Sequence, residues 1–65
     1  MKIEINGTLT EVRADTLDAV LDELGHGDDK VATAVNETFV PVAARRQTAL
    51  APGDRVEIVA PRQGG

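Results

Sequence analysis

The chain contains no cysteine, serine, tyrosine or tryptophan, and its only aromatic residue is Phe39. Without cysteine there is no disulfide framework, thiolate metal site, iron-sulfur cluster or thiol nucleophile, so the core alone must hold the fold. Without serine and tyrosine, the usual hydroxyl nucleophile and most general-acid candidates are missing too. One ring cannot form a platform on which sugars or bases stack. The formal net charge of -4 at pH 7 repels a phosphate backbone, and no basic stripe offsets it. That argues against nucleic acid as a partner and for basic or apolar protein grooves. No apolar run approaches a membrane span, and Met1-Lys2-Ile3-Glu4 opens as a strand rather than a charged-then-apolar signal. A cytoplasmic protein with no membrane partner is expected. At 65 residues, only about 60% of the chain's surface can be buried, which allows one small domain and no deep cleft. An enzyme acting alone is not expected.

What is present is clear periodicity. Ile3 and Ile5 alternate with Lys2 and Glu4, the pattern of a strand with one buried face. Asn6-Gly7 tolerates positive φ at both positions and predicts a type I′ turn into a second strand, Thr8 to Arg13. Leu9 and Val12 are out of phase for one buried face, which predicts a bulge or a departing strand around Thr10 to Val12. Asp15 and Thr16 supply capping oxygens, and Asp18 suits the positive end of a helix. Leu17, Val20, Leu21 and Leu24 then form the apolar stripe of a helix of about two turns, which Gly25 closes. Val31, Thr33 and Val35 alternate with Ala32 and Ala34 as a third strand. Asn36-Glu37 is a weaker turn signal because Glu resists positive φ. Thr38-Phe39-Val40 is a short strand stopped by Pro41, and Val42 to Thr48 reads as an irregular helical turn. Leu50 is a core anchor, Pro52-Gly53 predicts a type II turn, and Val56 and Ile58 alternate with Arg55 and Glu57 in a last strand. No internal repeat is evident. The order predicts a two-layer α+β domain whose helix covers the sheet.

Few side chains offer chemistry. His26 lies near Asp28 and Asp29, but their spacing matches no standard metal-ligand pattern and the stretch is rich in turn residues, so it reads as a solvated loop and no metal site is assigned. Asp22 and Glu23 are adjacent on a helix and point apart, which suits a solvated face rather than paired acid-base work. Arg45-Arg46 reads as an exposed basic pair. This leaves the segment Pro61-Arg62-Gln63-Gly64-Gly65, a polar arm after the last strand, with φ fixed at Pro61 and no side chains on the last two residues.

With Ala34-Val35-Asn36, Phe39-Val40-Pro41, Leu50, Gly53-Asp54-Arg55-Val56-Glu57-Ile58-Val59 and Gln63-Gly64-Gly65 in one short chain, the sequence resembles the ubiquitin-like, β-grasp sulfur carriers. Among them it is most similar to the ThiS family of thiamine thiazole biosynthesis. It departs from that family's pattern at Glu37, where glycine is common, and at Val42, where a basic residue is common. The resemblance implies a β-grasp domain over residues 1–60, with a mixed sheet of four to five strands and one main helix on one face. It implies a flexible tail at 61–65, and first and last strands side by side and parallel in mid-sheet. It further implies that the Gly65 carboxylate is the covalent site and that no residue of the chain is catalytic. A ThiF-type adenylyltransferase would use ATP and magnesium to adenylate Gly65. A cysteine desulfurase or other persulfide donor would then convert it to a thiocarboxylate, and a ThiG-type thiazole synthase would receive the sulfur. The chain itself would bind no cofactor. Arg62, Gln63 and Gly64 would thread the partner's channel, the five tail residues 61–65 together reaching about 17 Å at roughly 3.3 to 3.6 Å per residue, and Phe39, Val40, Val42 and Val59 are the candidate partner surface. Two other carrier-like roles share the diglycine arm: the small subunit of molybdopterin synthase, and a ubiquitin-like modifier joined to lysines. A passive interaction domain would not need the arm at all.

Overall fold

In the computed structural model, which describes residues 1–27 and 29–60, the period-two segments become β1 (Lys2–Ile5), β2 (Thr8–Glu11), β3 (Ala32–Val35), β4 (Thr38–Val40) and β5 (Arg55–Val59). The helix α1 (Leu17–Glu23) lies between the hairpins in sequence. The five strands form one mixed sheet in the order β2-β1-β5-β3-β4. The last strand lies at the centre, parallel to β1 and antiparallel to β3. This is the β-grasp arrangement, with α1 packed on one face.

Alternation decides what is buried. Ile3, Val56 and Ile58 face the helix, where they meet Leu17, Val20 and Leu21 in one hydrophobic core. Each such side chain contributes roughly 1.5–3 kcal/mol on full burial. The same parity puts Glu4, Arg55, Glu57 and Val59 on the open face. The β1–β2 ladder runs unbroken from Lys2↔Glu11 to Ile5↔Thr8, so of the two alternatives expected around Thr10 to Val12 the bulge does not occur, and the strand ends at Glu11, short of the expected Arg13. Leu9 lies opposite Glu4 and is exposed, while Val12 is buried just past the strand, with its N–H on the Met1 carbonyl at 2.9 Å. The two residues conflict in phase only if Leu9 is required to be buried.

The ends of α1 follow its flanking residues. Thr16 is the N-cap in extended conformation, but its hydroxyl does not cap the helix. It donates to Asp18 Oδ1, which itself accepts from the Ala19 N–H. The Leu17 N–H donates to the Thr48 carbonyl instead. At the other end Gly25 takes φ 88°. Its N–H and that of His26 return to the Asp22 and Leu21 carbonyls at 3.1 and 2.7 Å, which is a Schellman closure.

Val42–Gln47 form a 3-10 helix that packs beside α1. Here the expected exposed basic pair divides. Arg46 is exposed, but Arg45 is buried, at 8% exposure. Its Nε donates to Thr33 Oγ1 at 3.1 Å and its Nη2 to the Val31 carbonyl, while Thr33 Oγ1 donates to the Val40 carbonyl. A fork of donors at the start of β3 ties the 3-10 helix to the second hairpin, and sequence adjacency could not separate the two arginines. Among the described residues no helix is long and apolar enough to cross a membrane.

Candidate functional site

The candidate site is the end of β5, the strand that precedes Pro61. Pro52-Gly53 turns the chain into this strand as expected: Gly53 has φ 88° and the Asp54 N–H donates to the Ala51 carbonyl at 3.0 Å. Asp54 Oδ2 accepts from the Ala51 N–H at 2.8 Å and reinforces the turn. From there β5 is held on both sides by main-chain ladders, with Val59 still registered against Ala32.

Two asparagines, both at positive φ, grip this strand from its flanking hairpins. At the entry, Asn36 Oδ1 accepts from the Arg55 N–H at 3.0 Å, and Asn36 Nδ2 donates to Asp54 Oδ1 at 3.1 Å. At the exit, Asn6 Oδ1 accepts from the Ile58 N–H at 2.8 Å, and Asn6 Nδ2 donates to the Ile58 carbonyl at 3.0 Å. In sequence these residues were legible only as turn formers.

A shallow cavity of about 420 Å³ lies beside the exit, with Ile5, Asn6, His26, Lys30, Ile58 and Ala60 in its wall. His26 Nδ1 and Asp29 Oδ2 are 3.0 Å apart at its rim, so these two loop residues pair with each other. Glu23 is not simply a solvated acid. Its carboxylate accepts from the Arg13 N–H at 3.0 Å and the Ala14 N–H at 2.9 Å, pinning the chain between β2 and α1. The Ala14 N–H, then that of Arg13, hold the Glu23 carboxyl below its ordinary value.

The candidate partner residues separate by parity. Phe39 is 66% exposed, and Val42 and Val59 are exposed as well. Phe39 stands opposite Ala34, and Val59 opposite Ala32, so an apolar patch crosses the open face of β4, β3 and β5 beside the exit. Val40 is not part of this surface. At 8% exposure it lies in the core, because β4 alternates and its register against Thr33 turns it toward the helix. Arg62, Gln63, Gly64 and Gly65 lie outside the described residues, as does the boundary of the tail at 61–65.

Comparison with known proteins adds an independent observation. The model of the ThiS family matches residues 3–65. A protein named thiazole synthase from Paramagnetospirillum magneticum is 42% identical over 66 residues, covering 100% of this chain but 20% of that protein. The crystal structure of a thiamine biosynthesis protein (ThiS) from Geobacter metallireducens superposes with a TM-score of 0.84 at 25% identity, covering both chains completely. A solution structure of a thiamine biosynthesis protein from the same organism gives 0.79 at 23% identity, over 100% of this chain and 88% of that one, and shows likeness of fold.

Proposed function

This chain belongs to the ThiS family, and from that premise we propose that it is a sulfur carrier of thiamine thiazole biosynthesis whose working group is the carboxylate of Gly65. The observation that carries the reading is the match from residue 3 to residue 65, which includes the diglycine arm together with the strand that presents it. The central strand supports it mechanically. A short arm rooted in mid-sheet leaves from a rigid platform, and the globular part serves as a handle outside the partner.

The chemistry follows from the carboxylate. An α-carboxyl group ordinarily titrates at about 3.3 to 3.7, so it is ionised at neutral pH and is a poor acyl donor. A ThiF-type adenylyltransferase overcomes this with ATP and magnesium. One carboxylate oxygen attacks the α-phosphorus, pyrophosphate leaves, and an acyl adenylate forms. The terminal sulfur of a persulfide from a cysteine desulfurase or a similar donor then displaces AMP. A thiol that opens the resulting acyl disulfide leaves the sulfur on Gly65 as a thiocarboxylate. Here the protein is a co-substrate, and Gly64 and Gly65 carry no Cβ to obstruct a narrow channel. The exposed patch of Phe39 and Val59, with Val42, is the docking surface in this reading, and Arg62 on the arm steers association. A thiazole synthase of the ThiG type takes the sulfur. The relative named thiazole synthase supports that partner, since part of its length is similar to this chain.

Intact-mass analysis after incubation with the adenylyltransferase, ATP and a persulfide donor tests the proposal. The expected result is an oxygen-to-sulfur mass gain confined to the C-terminal peptide, and its absence would sink the carrier role. Deleting Gly65 should abolish adenylation while leaving the unfolding transition unchanged.

A further inference from the structure

We propose that Asn6 is a positioning residue for the C-terminal arm: its side-chain amide replaces a missing rung of β1 and fixes the main chain of Ile58, just ahead of the arm's root. The inference rests on the carrier reading, because it takes the arm to be the working group.

The two parallel strands are mismatched in length. β1 turns away at Asn6 while β5 continues to Val59. The parallel ladder proceeds from the Glu4 N–H on the Asp54 carbonyl to the Asn6 N–H on the Val56 carbonyl, each at 2.9 Å. One rung further on, β1 has no main chain to offer Ile58. A primary amide carries a donor and an acceptor in nearly the arrangement of a peptide group. The Asn6 side chain uses both on Ile58, at 3.0 and 2.8 Å. Aspartate would accept but not donate, and glycine or alanine would do neither. The turn requires positive φ at this position, 50° here, which asparagine and glycine both tolerate. Glycine would therefore preserve the turn and delete only the clamp.

With Asn6 on one side and Ala32, registered with Val59, on the other, the strand's direction is held up to the last described residue but one. An arm that must enter a partner's channel loses less freedom on binding when its root already points one way. Removing the clamp weakens productive entry and leaves the chemistry of an arm already seated untouched.

The test compares the full chain with its Asn6→Gly and Asn36→Gly variants, all checked to be folded. Amide hydrogen exchange at Ile58 reads the clamp. ATP–pyrophosphate exchange with a ThiF-type adenylyltransferase, at varied carrier concentration, reads the function. Asn6→Gly should speed Ile58 exchange and raise the carrier's KM about five- to tenfold with kcat unchanged. Asn36→Gly, which loosens the entry end of the same strand, should leave KM within about twofold. A folded Asn6→Gly chain with unaltered KM, an equal rise in Asn36→Gly, or a fall in kcat instead of a rise in KM overturns the positioning role alone. A wild-type chain that supports no exchange overturns the carrier reading and the positioning role together.

Discussion

The two hairpins make the same turn with different residues. Asn6-Gly7 has φ values of 50° and 84°, and Asn36-Glu37 has 49° and 73°. Glycine reaches this region without steric cost, whereas a residue with a Cβ is strained there by roughly 1–2 kcal/mol. Glu37 is held in place by the strands on either side and by the Asn36 contacts to Arg55 and Asp54. Its own contact with Arg55, at 3.5 Å and exposed, offsets little of the strain. A turn is thus set by the ladder it closes as well as by its own residues, and a poor turn former survives where the surroundings over-determine it.

The hairpins also differ in how the following chain is fastened. After β2, a carboxylate on α1 grips two backbone N–H groups. After β4, a guanidinium from the 3-10 helix reaches back to β3. The first fastening depends on a carboxyl that ionises in the acid range.

The comparison can be broken most sharply at Arg45. Arg45→Ala removes both donors and the packing of the side-chain stem, leaving the Val31 carbonyl without this partner. It should cost about 2–4 kcal/mol in urea unfolding, and a loss below about 1 kcal/mol would show that the second hairpin is fastened otherwise. Exchanging the turn residues sharpens the contrast. Glu37→Gly should stabilise by about 1 kcal/mol and Gly7→Glu should destabilise by a similar amount. For a domain of this size each corresponds to a shift in Tm of roughly 4–8 °C. Shifts of the same sign in both variants would refute the strain argument. The smallest effect belongs to Glu23. Its carboxyl is held below the ordinary value of 4.5 by the Ala14 and Arg13 N–H groups. Its contribution is therefore fully present above that value and is lost as the pH falls through the depressed folded value. Glu23→Gln should lower stability at neutral pH and flatten the acid limb of the stability profile. Unfolding curves measured at neutral and acid pH for both proteins check this, and parallel acid limbs would count against it.

These residues also mark where sequence reading succeeds and where it stops. The succession of elements along the chain, the helix stripe, the Gly25 closure and the Pro52-Gly53 turn were legible because each depends on local periodicity or on a backbone angle few residues adopt. The central place of β5 rested on family resemblance, since no local pattern says which strands pair. Val40 and Phe39 could not be assigned to core or surface before the register of β4 was known, because both are apolar and adjacent. Leu9 failed for the opposite reason: an exposed leucine on a two-faced sheet imitates a phase error. Arg45 and the clamping role of Asn6 were hidden because their partners lie 12 and 52 positions away, beyond any local motif.

The place of β5 has a consequence for synthesis. The strand translated after all the others is the one that joins them: β1 and β3 touch β5 but not each other. Until Arg55–Val59 have left the ribosome, the nascent chain holds two hairpins with no shared edge, and the sheet cannot close around them. Completion of the domain therefore coincides with emergence of β5, and a message cut short before that strand yields fragments open to proteolysis rather than a folded domain. The fold itself acts as a check that the domain has been made through its central strand.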